Sequence, residues 1–213
     1  MAYPFQKWRG FLFLLPLSIN DKPMLPFFRK MPIKLLCLFF TVLSLGCTKF
    51  SEEVKDPSAG INGGFEVSKQ SLPVNWLMYT PNTVPNSKFE IILDNEDFKE
   101  GKQSLRFEVE ECASTGGWGS PGFTNQFDVE AGKTYTLSFW IKNKGAEIHI
   151  SAGGVSPKTG GMKTLLRSNE QISYWKQYSY DVPIANEFRE LRFEVNVLSP
   201  GTFWIDDIKI EKQ

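Results

Sequence analysis

Thirteen consecutive residues, Ala131 to Asn143 (AGKTYTLSFWIKN), constrain this chain more than any other stretch. Gly132 and Lys133 form a polar turn, after which Tyr135, Leu137, Phe139 and Ile141 fall on every second position. Thr134, Thr136, Ser138, Trp140 and Lys142 take the alternate places. A period of two with β-branched and aromatic residues predicts a long strand with one buried face and one wetter face. The buried face needs a second apolar sheet to cover it.

The flanking sequence supplies that sheet. In Ser104–Glu110, Leu105, Phe107 and Val109 alternate with Arg106, Glu108 and Glu110. Near the C-terminus Leu191, Phe193, Val195 and Val197 alternate with Glu190, Arg192, Glu194 and Asn196. Ile148 and Ile150 bracket the single histidine, His149, which alternation turns outward beside Ser151. Such runs recur about every ten residues between Gly, Pro, Asn and Asp, and no long stretch keeps a helical period. These signals predict an all-β fold: one β-sandwich of two antiparallel sheets over residues 60–213. Trp76, Trp175 and Trp204 are expected in its core, while Trp140 is either packing or an exposed aromatic surface.

The N-terminal segment, residues 1–46, reads differently. Met31-Pro-Ile-Lys34 precedes a short apolar run that ends in small residues before Cys47. A basic start, a short apolar stretch and small residues before a cysteine form a secretory signal, and the run is too short for a membrane anchor of about 20 residues. Met31 is the more natural start, so residues 31–46 form the signal and residues 1–30 lie upstream of it. Leu43-Ser44-Leu45-Gly46-Cys47 resembles the lipobox of bacterial lipoproteins, which implies lipidation of Cys47 and anchoring to the cell envelope, at the outer membrane. Residues 47–59 read as a polar tether, and Ser51-Glu52-Glu53 resembles the acidic export signal of surface-exposed lipoproteins. With Cys37 removed and Cys47 lipidated, Cys112 stands alone and the domain must hold together by packing. Residues 48–213 carry 18 Lys+Arg against 23 Asp+Glu, a net charge of −5. That balance argues against nucleic acid as a partner.

Several short motifs carry a resemblance. They are Asn62-Gly63-Gly64-Phe65-Glu66, Pro73-Val74-Asn75-Trp76, Gly101-Lys102-Gln103-Ser104-Leu105, the central strand, Tyr174-Trp175-Lys176-Gln177-Tyr178, and Phe203-Trp204-Ile205-Asp206-Asp207-Ile208. In this order they resemble the carbohydrate-binding modules of the family 4/9/22 type, β-jelly rolls usually joined to bacterial polysaccharide-degrading enzymes. The resemblance covers residues 60–212 and specifies architecture better than ligand. It implies polysaccharide or oligosaccharide binding, with surface glycan-utilisation proteins as neighbours.

In the closing strand, alternation places Asp206 on the inward side with Trp204, Ile208 and Ile210, and turns Asp207 out. A buried carboxylate costs several kcal/mol unless it is paired or bound to a cation. The resemblance implies a structural Ca²⁺ there, held by Asp206, Glu66 and main-chain oxygens near Gly64 and Gly101, in keeping with calcium's preference for many oxygen ligands. For the ligand, it implies contacts from Glu190, Arg192 and Glu194, an aromatic surface at Tyr79, and a polar contact at Asn125. Strict alternation from Phe127 turns Asn125 inward, so Asn125 serves only if the strand bulges, and Gln126 is the substitute that alternation offers. Trp118, in the glycine-rich loop GGWGSPG, is expected to be exposed to a ligand.

No nucleophile–base–orienter set and no histidine cluster is visible, which argues against catalysis. One alternative is a glycan lyase or hydrolase using Glu190 and Glu194, expected to fall within the carboxylate separation of an inverting glycosidase. A second is a scaffold or adhesion sandwich that binds protein.

Overall fold

The structure, a computed structural model, describes residues 52–213. The expected signal, lipobox and Cys47 lie outside the described residues. Thirteen strands follow one another: β1 (Glu52–Glu53), β2 (Ser68–Lys69), β3 (Leu72–Pro73), β4 (Leu77–Tyr79), β5 (Lys88–Asp94), β6 (Ser104–Glu111), β7 (Gly122–Asp128), β8 (Thr134–Lys144), β9 (Ile148–Val155), β10 (Lys163–Ser168), β11 (Ile172–Pro183), β12 (Glu190–Val197) and β13 (Gly201–Lys212). Among the described residues the only helical elements are 3-10 turns at Pro57–Ala59 and Gly117–Gly119.

The strands build a six-stranded sheet, β1-β4-β7-β12-β9-β10, and a five-stranded sheet, β11-β8-β13-β6-β5, with β2 and β3 as a separate hairpin. Pairing is antiparallel throughout. The chain changes sheet at nearly every connection from β4 to β13, so sequence neighbours face each other across the core. This is the sandwich that the alternating runs predict and the jelly roll that the resemblance implies.

The central strand behaves as its pattern dictates. In β8, Tyr135, Leu137, Phe139 and Ile141 are buried and the residues between them are half-exposed. From the opposite sheet Phe193 meets Phe139 (centroids 5.8 Å apart) and Phe123 packs beside Phe193, while Trp76 packs edge-on against Phe123 with centroids 5.1 Å apart. Trp76 is fully buried, and its indole N–H donates to the Asn62 carbonyl (3.0 Å). Asn62, at φ 52°, uses its side chain to bond Val67 and Val74, which locks the opening turn over the core. The backbones touch where Gly63 meets Ile208. A Cβ on Gly63 would lie 1.9 Å from the Ile208 oxygen, so only glycine lets β13 close against this turn.

Three expectations are corrected. Trp175 and Trp204 are not core residues; both lie half-exposed on the outer face of the five-stranded sheet. Their indole N–H groups donate to Asp97 and Asp94, each at 3.0 Å, and Lys142 lies between the two rings, 6.0 and 5.3 Å from their centroids. Trp140 shares that face, with the Lys99 ammonium 4.3 Å above its ring, so it is packing rather than an open surface.

The parity of β13 also differs. Phe203, Ile205 and Ile208 face the core, because a bulge between Asp206 and Lys209, with Asp207 at φ 50°, shifts the alternation. Finally, the described part of the expected tether belongs to the domain. Glu52 and Glu53 pair with Met78 and Leu77, and Asp56 exchanges hydrogen bonds with Asn75 before capping the Pro57 turn.

Candidate functional site

The outer face of the six-stranded sheet carries the polar half of each alternating strand. Register places its side chains in rungs. Gln126, Arg192 and Gly153 form one; Thr124, Glu194, Ser151 and Thr164 form the next; Gly122, Asn196 and His149 form a third. Loops rise at two places along this strip. Gly161 folds over Gly153, where a Cβ would lie 2.2 Å from the Gly161 oxygen. At the other end, Gly117 both donates to and accepts from the Asn196 side chain (3.0 and 3.1 Å). Between them lies a polar strip of the sheet, the candidate groove.

Glu194 is its best-defined group. Tyr79, on β4, spans Gly122 and donates its hydroxyl to Glu194 Oε1 (3.0 Å). Tyr79 is only 7% exposed, so it is not the aromatic surface expected of it; it is the post that fixes a carboxylate. Burial, then the Glu194 charge and hydrogen bond, push the Tyr79 phenol well above its ordinary pKa, so it stays a donor. Arg192 points to Gln126, whose amide oxygen accepts from Nε (3.2 Å) and Nη2 (2.9 Å) when turned toward the guanidinium. Trp118 sits in the 3-10 turn beside Glu194 and is 53% exposed, as expected. His149 bonds Thr164 (2.9 Å) at the groove's far side.

Asn125 does not join this groove. Strand β7 runs without a bulge, so Asn125 pairs with Phe193 and donates its amide to the Asn75 carbonyl (2.6 Å). Alternation, not family position, decides it, and Gln126 takes the outward place. Ser151, Thr124 and Thr164 complete the groove and were not singled out from sequence. The alternation of Ile148 and Ile150 is the signal that places Ser151 there. Glu190 and Glu194 lie four residues apart on one strand face, so at about 3.3 Å per residue their Cα atoms are roughly 13 Å apart, not the shorter spacing expected. Inverting glycosidases hold their carboxyl groups roughly 6.5–9.5 Å apart.

Two of the residues expected to hold a cation, Glu66 and Asp206, lie on either side of Gly64: a Cβ there would be 3.7 Å from Glu66 Cγ and 3.8 Å from Asp206 Oδ1. Gly101, at φ 70°, backs onto Glu66 Oε1, which accepts from the Lys102 and Gln103 amides (2.9 and 3.3 Å). Asp206 is fully buried, yet on the outer side of the five-stranded sheet beneath the 97–101 loop rather than in the core. Its carboxylate accepts from the Lys99, Glu100 and Asp207 amides (2.8, 3.0 and 2.7 Å). Burial raises its pKa to about 6 against those three bonds, and no described cationic side chain pairs with it. A buried carboxylate without a counter-charge, next to a second carboxylate and glycine turns, fits a hard cation. With only two carboxylates, main-chain oxygens would supply most of the ligands.

No protein-family model matches the chain, and no curated protein matches it in sequence. Solved structures match it in fold. The CBM22-1 xylan-binding domain from Paenibacillus barcinonensis Xyn10C is 11% identical at a TM-score of 0.50, covering 70% of this chain and 91% of that one. The C-terminal family 22 carbohydrate-binding module of Clostridium thermocellum Xyn10B is 16% identical at 0.50, covering 70% and 90%. The enzymatically active domain of bacteriophage CBA120 tailspike protein 4 is 17% identical at 0.54, and the match covers 71% of this chain but only 21% of that one. At these identities the likeness is one of fold: this chain folds as the carbohydrate-binding-module jelly rolls do.

Proposed function

We propose that the domain binds polysaccharide without turning it over, as the glycan-capturing part of a lipoprotein anchored through Cys47 to the bacterial cell envelope. The observation that carries this reading is Glu194, held by a buried tyrosine hydroxyl at the floor of the candidate groove with half-exposed Trp118 at its rim. Sugars need a flat apolar surface for ring CH groups and fixed polar groups for hydroxyls, and this groove offers both. The shared fold with xylan-binding domains supports the same reading. The wide spacing of Glu190 and Glu194 speaks against glycoside hydrolysis by that pair.

Calcium belongs to this proposal as a structural clip. Asp206, Glu66 and main-chain oxygens near Gly64 and Gly101 would hold it, and it would offset the charge of Asp206.

A glycan array of residues 52–213, with reducing-end and unsaturated-product assays on each hit, is expected to give binding without product. Product release by the purified domain would overturn the non-catalytic reading. For the anchor, the full-length protein should partition with membranes and its Cys47→Ala variant should not, since stable attachment needs more than one acyl chain. A membrane-bound Cys47→Ala variant would refute lipidation at that residue.

A further inference from the structure

The groove does not end at the edge of β7. Strand β4 is three residues long and pairs with β7 only at Gly122, Phe123 and Thr124, which leaves residues 125–128 without a neighbour on that side. The segment around Pro57 and Gly60 arches past this gap, held by the Asp56–Asn75 bonds. Below it lies a cleft of about 530 Å³ between the two sheets. That volume is within the roughly 300–1,000 Å³ typical of small-molecule sites.

The geometry points to this cleft as a side-branch subsite: the glycan in the main groove is substituted, and one pendant sugar passes over the β7 edge into the cleft. This inference rests on the proposed polysaccharide-binding reading and names the substrate class within it. Three observations carry it. First, the cleft and the groove are continuous, because Gln126 and Asp128 line the cleft while register places them on the groove face beside Arg192 and Glu190. Gln126 is the hinge, with its amide oxygen turned to Arg192. Second, the lining is of the kind that suits a pyranose. Ile61, Phe127 and Ile210 supply apolar surface, and Lys55 and Asp128 supply charged groups at the rim. Third, the cleft holds a fixed hydroxyl. Tyr135 lines the cleft at 8% exposure, and its hydroxyl oxygen accepts from the Glu130 amide (2.9 Å). With that bond accepted, the hydroxyl keeps its own proton to donate to a sugar hydroxyl in the cleft.

The surface that a linear chain meets is therefore only part of what the domain offers. A chain carrying a single-sugar branch can fill both groove and cleft.

The test is titration of three matched pairs: linear β-1,4-xylan with arabinoxylan, linear β-1,4-mannan with galactomannan, and linear β-1,4-glucan with xyloglucan. The wild-type domain should bind the substituted member of its preferred pair at least fivefold more tightly. Ile61→Trp, which fills the cleft, should abolish that preference and leave the linear affinity within twofold. Asp128→Ala, at an exposed position, should reduce the preference without lowering the melting temperature, so the reading survives if the larger substitution unfolds the domain. Equal binding of linear and substituted chains by the wild type would overturn the branch subsite alone. Equal weakening of both chains by Ile61→Trp would do the same. Failure to bind any of the six would overturn the polysaccharide reading together with it.

Discussion

Single residues divide here between holding and touching. Tyr79, Asn196 and Asn125 have polar side chains near the groove, yet each is spent on the protein itself: on Glu194, on the Gly117 backbone and on the Asn75 carbonyl. Glu194, Arg192, Gln126 and Trp118 face outward. Tyr79→Phe tests this division. Removing the hydroxyl leaves Glu194 free to rotate and should weaken glycan binding about threefold to tenfold, the order of one ordinary net hydrogen bond. The melting temperature should change little, because the ring stays packed. Unchanged affinity in Tyr79→Phe would mean that Glu194 needs no fixing. The Tyr79–Glu194 contact spans 115 residues in sequence, so no local pattern announces it. Tyr79 three places after Trp76 reads as another surface aromatic until β4 is laid beside β7.

At the scale of strands, alternation was the reliable guide, and it failed where the backbone departs from a regular pleat. It puts Phe139 and Phe193 in the core, Arg192 and Glu194 outside, and Gln126 rather than Asn125 in the groove, all as observed. In β13 the bulge after Asp206 resets the parity, and nothing in Trp-Ile-Asp-Asp-Ile marks where the extra residue falls. The outer face of the five-stranded sheet misleads for another reason. Trp175 and Trp204 are large and apolar, which suggests core, but Asp97 and Asp94 accept their indole protons and Lys142 covers the rings. Burial favours protonation of Asp94, yet the Trp204 indole, two backbone amides and the Arg106 charge together hold its carboxyl below the usual range. The 97–101 loop that covers this face also covers Asp206. Adding EDTA should therefore lower the melting temperature of the isolated domain, and Ca²⁺ should restore it better than Mg²⁺, because a ligand bound only by the folded state stabilises by mass action. Asp206→Asn should lose this calcium response. A melting temperature indifferent to EDTA and Ca²⁺ would leave Asp206 as a carboxylate held by three backbone amides alone.

Across the whole molecule, the proposed function separates stability from recognition. Aromatic rings fill the space between the sheets, Asn62 and Gly63 close one end, and the outer face of the six-stranded sheet is left polar, bounded by the Trp118 turn and the Gly161 loop. That separation is the central claim, and isothermal titration of the wild-type domain, Trp118→Ala and Glu194→Gln against the best array ligand tests it most directly. Trp118→Ala should weaken binding by about 1–2 kcal/mol, in line with a lost aromatic contact. Glu194→Gln should change which glycan is preferred, and both variants should melt within a few degrees of the wild type. Wild-type affinity and wild-type preference in both variants would contradict the account, because the ligand would then be bound somewhere other than this groove.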